Sequence, residues 1–594
     1  MVLMKKNNNI PRLIQKHVNS EDFSRDLLLF FVLLILSGIR IWLAHGMPIY
    51  ILATAEHDDG LFLNQAIEFL RKRWLGVYSE STLSKGISFT LFLAVCGVTR
   101  IPYTVLVTLM NIISAALVIF ALKPLCKSRI WRGILFVILI FSPVTSAVSL
   151  FQRVYRNSLS ASASLFLVAG CIYLFTRRDK KERTVYTVSI LLGFALWFFM
   201  NLREDGILMM PFIIGAGTLT ILFLVFEKAE KYIVIRMVSC FVIPFIILFF
   251  GNQMLSLLNW KVYGVYTVND RTDTSFVSVA KQFLSAKAEV DEDVDEQIVW
   301  VTRSQYENVV NASPTLSAIK DEMMQGYDDY AAFWEHKDVH GDFYVWALRR
   351  GASLAGHYEY ASETRDFWDK VNSELQSAYK TELLTKKNGL FISFSSRAIT
   401  KDNIGEILPL TKDCLISNVS FSSPQVIAYQ QPGSSGTLYQ IRQAESLTNS
   451  LCYYSDEIME EDPSTISFIK FSGFNNHITA LYQKAGLPIF ICGKVAAVLL
   501  LVVFVIQNAR KKIVEKDILP VLMIGTGLFL SVVILNFAVA WFSTFMDEGP
   551  KYQWWFYAGS GTQLSLLADL MIIGFAACLV KKIILQKAET KKNG

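Results

Sequence analysis

The sequence predicts a polytopic α-helical membrane protein with one large extracytoplasmic domain of mixed α/β character. Three observations predict it. Of the 594 residues, 53% are hydrophobic and only 18% are charged, where a soluble chain carries roughly 25% charged residues. The apolar residues gather into runs of about 20, enough to cross a hydrocarbon core of about 30 Å. The basic residues recur between alternate runs, which is the bias of cytoplasmic loops.

The elements follow in order. Residues 1–26 form a cytoplasmic N-terminus containing Lys5, Lys6, Arg12, Lys16 and Arg25. The apolar run behind it, 27–45, is too long for a cleaved signal and lacks a small-residue cleavage site, so it is a signal anchor. Nine more passages are expected at 102–123, 131–150, 158–176, 184–201, 206–227, 233–257, 488–507, 518–541 and 562–580. Basic clusters at Lys123–Arg132, Arg177–Arg183, Lys228–Lys231, Arg510–Lys516 and Lys581–Lys587 then all fall on the cytoplasmic side. Residues 86–99 are apolar but short. A full passage there would move the Lys123–Arg132 cluster outside, so a re-entrant helix is expected, with eleven passages as the alternative.

This reading divides the chain into a membrane region 27–257 with a first outer loop 46–85, an extracytoplasmic domain 258–487, C-terminal membrane helices 488–581 and a cytoplasmic tail 582–594. The expected place is the plasma membrane. In the extracytoplasmic domain Phe367, Val371, Leu375, Tyr379 and Leu383 recur at helical spacing. Gly389–Phe394, Gln425–Gln430 and Gly436–Ile441 read as short strands between turn residues. Of the eight cysteines, Cys414 and Cys452 lie in this polar region and are candidates for a disulfide.

Several function classes drop out. The net charge of +6 is modest and does not point to nucleic acid. There is no Walker A sequence and no CxxC, HExxH or Cys/His metal spacing.

What remains is a cluster of charge at one surface. The first outer loop reads Glu56-His57-Asp58-Asp59-Gly60 and leads into an amphipathic stretch with Leu63, Ala66, Ile67 and Leu70 on one side, as in an interfacial helix. Asp58 and Asp59 stand at its N-terminus. They fit a helix-capping role, and equally a general base. The short outer turns hold Arg153 and Arg156, and then Arg203, Glu204 and Asp205. Lys85 ends the first loop and Arg40 lies near the outer end of the anchor. Outer turns are normally poor in Arg and Lys, and charge at membrane depth marks function. Arginine's fixed fork of donors suits phosphate, although these arginines also fit lipid headgroups or the neighbouring acids. The group suits a substrate with an apolar tail and a phosphate at the surface.

In the order of these parts the chain resembles the GT-C superfamily of membrane glycosyltransferases. The shared features are one passage, a first outer loop with an acidic pair, an apolar segment opening Lys85-Gly86, further passages and a late external domain. The resemblance covers nearly the whole chain through short, degenerate motifs. It implies inverting sugar transfer from a polyprenyl-phosphate donor to a cell-envelope acceptor on the outer face, with Asp58 or Asp59 as base. The usual pair there is Asp-Glu or similar; here it is Asp-Asp. Asp58 is favoured, with Asp59 orienting the acceptor or holding a divalent cation. Lys85, Arg153, Arg156, Arg203 and Arg40 are the expected phosphate ligands. The competing readings are an O-antigen ligase or polymerase, and a lipid-linked-sugar transporter without chemistry.

Three weaker features are the acidic run Asp291–Glu296, the aromatic run Lys551–Tyr557, and the sequons at Asn311 and Asn418. The acidic run reads as a solvated surface, the aromatic run as an interfacial belt or a sugar-stacking platform.

Overall fold

The computed structural model describes residues 21–592 apart from 180–182, 273, 288–294, 296, 335–337, 425–432, 454–463, 511–514 and 547–549. The described residues are mostly helical, and among them eight helices are long and apolar enough to cross a membrane. The first half holds α1 (Glu21–His45), α2 (Asp59–Leu70), α3 (Ser88–Thr99), α4 (Tyr103–Leu122), α5 (Arg129–Ile140), α6 (Asn157–Thr176), α7 (Thr184–Met200), α8 (Met210–Phe226) and α9 (Lys231–Tyr263). The six between α9 and residue 381 are α10 (Ser275–Ser285), α11 (Arg303–Ala312), α12 (Pro314–Ser317), α13 (Lys320–Ala331), α14 (Phe343–Leu354) and α15 (Ala361–Lys380). There follow α16 (Lys401–Val419), α17 (Leu438–Thr448), α18 (Ser464–Ala509), α19 (Ile518–Phe542), α20 (Pro550–Ala558) and α21 (Thr562–Lys592).

Two expected passages take other forms. The stretch 131–150 is broken. Pro143 holds Ser142 in an extended conformation, as a proline does to the residue before it, so α5 stops at Ile140 and a 3-10 turn and a π turn follow. The 184–201 passage is the 17-residue helix α7. The short apolar segment forms α3, whose 12 residues reach only about 18 Å, well short of a bilayer core. Conversely, α18 runs for 46 residues and starts well before the expected passage at 488.

The mixed α/β expectation is overturned: among the described residues there is no β-strand, only isolated bridges. Residues 389–394 contribute one such bridge, between Leu390 and Ile399. At 436–441 a capping box between Thr437 and Gln440 starts helix α17 instead of a strand. The proposed strand 425–430 lies outside the described residues. The helical spacing through Phe367 is real: Phe367, Val371 and Leu375 are the buried face of α15.

The described residues of 258–487 contribute to three hydrophobic cores. Residues 265–394 build their own core around Phe276, Phe283, Tyr306, Tyr327, Tyr344 and Trp368, closed from below by Leu75–Ile87. Beyond them, α17 and Cys452 join the core of the membrane bundle. Helix α16 packs on α19, with Cys414 and Asn418 both bonded to Asn536. Cys414 and Cys452 are therefore free thiols buried in separate places, not a disulfide. Asn418 is 1% exposed, which closes that sequon to modification in the folded chain.

Candidate functional site

Connectivity brings the charged loops together. Helices α1 and α7 end, and α6 and α8 begin, at the same end of the bundle, so the loops bearing Asp58, Arg153, Arg156 and Glu204 share that end. The backbone fixes their register. The extended segment 49–53 lies between two others: Tyr50 bridges to Arg153 and exchanges hydrogen bonds with Gln152 and Val154, while Ile49 and Leu52 bridge to Cys452 and Ser435. Seven residues on, in the first turn of α2, a Cβ on Gly60 would lie 2.6 Å from the Ala53 carbonyl. Lys85 is delivered by a second close approach. A Cβ on Gly86 would lie 2.2 Å from the Asn201 carbonyl oxygen, the same oxygen that receives the Ser88 amide.

The two aspartates play different parts. Asp59 is fully buried; its carboxylate takes both Nε and one terminal nitrogen of Arg153 at 2.7–3.1 Å, and the Leu52 amide at 3.0 Å. Burial opposes the Arg153 charge, but Asp59 outweighs burial and holds the guanidinium well above its ordinary pKa. This pair is a staple, and it leaves Asp59 no oxygen for an acceptor or a cation. Asp58 makes no capping hydrogen bond to α2, which removes the capping reading. One of its oxygens receives Lys85 Nζ at 3.0 Å and the Tyr155 hydroxyl at 2.9 Å. The other has no hydrogen-bond partner among the described residues, and the side chain is 38% exposed. Burial raises the Asp58 carboxyl, but Lys85, Arg153 and Arg156 prevail and keep it well below the usual carboxylate range.

Around Asp58 stands a ring of cations. Lys85 is buried, which lowers its pKa, and its ammonium lies 5.3 Å from the centre of the Trp346 ring. Arg156 pairs with Glu204 at 2.7 Å and donates to the Tyr155 hydroxyl at 3.2 Å. Glu204 uses its other oxygen on Arg271 at 2.9 Å. Arg271 is 7% exposed, and its Nε is buried without a hydrogen-bond partner. Four cations and three carboxylates thus share one end of the bundle, with donors left over.

Two expected ligands are committed to other partners, although Arg203 also lies 5.7 Å from the centre of the Tyr557 ring. Arg203 is gripped by both oxygens of Asp205 and by Asn157 at 2.8 Å. It lines a separate cavity of about 40 Å³ with Ser160, Ser164, Met209, Ser531 and Leu564. Arg40 is 1% exposed; its two terminal nitrogens go to Asn475 and the Thr145 carbonyl, and its Nε is buried without a hydrogen-bond partner. It ties α1 to α18 and to the Pro143 turn, and among the described residues it pairs with no acid.

Sequence reasoning missed several residues. Arg271, Trp346 and Asp342 come from the 265–394 body and close the site from above. His57 stacks on Trp346 with centroids 4.3 Å apart, and bonds Ser81 at 2.6 Å and the Tyr330 hydroxyl. Burial first, and Lys85 next, lower the His57 pKa to about 4, so its imidazole is neutral at pH 7. Tyr155 was visible between the two arginines but carried no motif. The aromatic run is internal: Trp554 and Trp555 are buried, and Phe556 stacks on Tyr155 and receives the Arg153 guanidinium at 5.2 Å. It is neither an interfacial belt nor a free sugar platform. Among the described residues no group of three His, Cys, Asp or Glu side chains could hold a metal. Asp59 does not fit a divalent cation, because Arg153 and the Leu52 amide already occupy both of its oxygens. The acidic run 291–296 lies outside the described residues except Asp295.

Compared with known family profiles, curated proteins and solved structures, the chain matches none.

Proposed function

We propose that the protein is an inverting membrane glycosyltransferase acting on a polyprenyl-phosphate sugar, with the Asp58 end of the bundle facing outward and the acceptor drawn from the cell envelope. The observation that carries this reading is the half-exposed carboxylate of Asp58, with one oxygen uncommitted, inside a ring of Lys85, Arg153, Arg156 and Arg271 at the ends of membrane-length helices. A lipid phosphate is the substrate whose charge and depth match that ring.

The chemistry balances on these residues. An acceptor hydroxyl oxygen attacks the anomeric carbon, and the bond from that carbon to the phosphate oxygen breaks. The electron pair leaves on the polyprenyl phosphate, and the hydroxyl proton passes to the free oxygen of Asp58. The cations stabilise the charge that grows on the leaving phosphate. Lys85 has a double part: it suppresses the basicity of Asp58 while the site is empty, and a bound phosphate competes for it. Arg153 is anchored by Asp59 and supplies a fixed field rather than a mobile ligand.

The test uses purified protein in nanodiscs, labelled polyprenyl-phosphate hexoses and an envelope extract. Wild type moves label from lipid to acceptor, and Asp58→Asn, shown folded by its thermal unfolding, does not. Absence of transfer with every donor, or equal transfer by the variant, sinks the proposal and favours a lipid-linked-sugar binder or carrier.

A further inference from the structure

Asp342 is an acid that the reaction just described does not use. It precedes α14 and makes no capping hydrogen bond to it. Among the described residues no other side chain hydrogen-bonds to its carboxylate or pairs with it. Trp346 lies one turn further along the same helix, and residues four apart share a helix face. That face is fixed: Trp346 covers His57 at 4.3 Å, Lys85 at 5.3 Å and Arg271 at 5.1 Å. Asp342 therefore lies on the side of α14 that faces these groups, within electrostatic reach of Lys85, Arg271 and Asp58. The Tyr557 hydroxyl feels both Asp342 and Asp58, together with Arg203 and Arg156.

A half-buried carboxylate without a partner costs stability. Neighbouring acids escape that cost: Asp59 is stapled to Arg153, Asp205 to Arg203, and Asp270 to Arg349 at 2.9 Å. Asp342 stands without a side-chain partner, within electrostatic reach of two cations of the ring, Lys85 and Arg271. In a glycosyl phosphate the group next to the phosphate is the sugar, whose hydroxyls donate hydrogen bonds that a carboxylate accepts.

We propose that Asp342 is a specificity-determining residue, accepting a hydroxyl hydrogen bond from the sugar of the lipid-phosphate donor. The proposal rests on the donor class inferred above, and not on turnover. It also assigns the 265–394 body a part in donor selection.

The experiment measures binding without chemistry. Short-chain polyprenyl-phosphate glucose, mannose and galactose, and the sugar-free polyprenyl phosphate, are titrated onto wild type, Asp342→Asn and Asp58→Asn in nanodiscs without acceptor. Wild type binds at least one glycosylated lipid about 10- to 100-fold more tightly than the sugar-free lipid, the size of a hydrogen bond to a charged group. Asp342→Asn binds the sugar-free lipid like wild type but loses that increment, Asp342→Glu recovers part of it, and Asp58→Asn retains it. Asp342→Asn also unfolds at or above the wild-type temperature at pH 7.5, which a purely structural acid would not allow. An increment that survives in Asp342→Asn, or no increment in wild type, overturns the proposal. If wild type shows the increment yet makes no product in the transfer assay, the transferase reading fails while the role of Asp342 stands.

Discussion

Replacing Asp59 by Asn separates the two aspartates most sharply. The side chain is completely buried, and its partner Arg153 is 11% exposed. Asparagine keeps a carbonyl for the Leu52 amide, now at 3.0 Å. It turns an amide N–H2 toward a guanidinium that has no acceptor to replace the lost oxygen. Breaking a buried pair by removing one member costs about 3–5 kcal/mol, because the other charge stays behind unpaired. The loss falls where three segments meet, since Arg153 is the residue that bridges to Tyr50. Asp59→Asn should therefore lower the thermal unfolding temperature and reduce the monodisperse fraction after extraction. Asp58→Asn takes the carboxylate from the buried Lys85, but Asp58 itself is 38% exposed, so it should lower both by less than Asp59→Asn does. The assay is scanning fluorescence on matched detergent preparations, with gel filtration of each. A variant at Asp59 as stable as wild type would refute the staple, and with it the division of labour between the two acids.

Other outcomes follow from the same geometry. Gly86→Ala should destabilise by about 1–3 kcal/mol, because its Cβ would meet the Asn201 carbonyl, whereas Gly215→Ala, with nothing within 4 Å, should be neutral or stabilising by thermal unfolding. Lys85→Met removes the strongest charge lowering Asp58. The acid limb of the transfer rate, set by protonation of Asp58, should move to higher pH, and an unmoved limb would count against Asp58 as the base. Burial raises Asp342 from 3.8 in the unfolded chain to about 6. The folded state therefore binds this proton more tightly, and the stability it confers in acid is lost as pH rises through about 6. Asp342→Asn should accordingly raise the unfolding temperature at pH 7.5 and give no gain near pH 4; a gain of equal size at both would remove the carboxyl as its cause.

Much of this fold was legible because membrane helices announce themselves by length and composition. The spans through α1, α4, α6, α8, α9, α19 and α21 needed only runs of apolar residues. The break at Pro143 was written in the sequence but outweighed by a hydropathy that ran through it. Thr437 and Gln440 are a capping signal that a short alternating pattern obscured. The site divides in the same way. Arg153 and Arg156 stood out as charges where the positive-inside bias expects few, Asp58 as the start of an amphipathic stretch and Lys85 as the end of the first loop, and the structure brings them together. Arg203 and Arg40 stood out for the same reason, but their neighbours Asp205, Asn475 and Thr145 had already taken their donors. Arg271, Trp346 and Asp342 carry no local pattern. Their approach to Lys85 depends on packing between segments about 190–260 residues apart, which periodicity and spacing do not encode.

The central claim is a single displacement at the anomeric carbon with Asp58 receiving the proton. The measurement that tests it most directly is the anomeric configuration of the product, read by NMR from a donor of defined configuration, for wild type and Asp58→Asn. Inversion by wild type, with no product from a folded Asp58→Asn that still binds donor, is the predicted result. Retention would require a covalent intermediate and contradict the mechanism, and an inverted product from Asp58→Asn at the wild-type rate would contradict the assignment of the base.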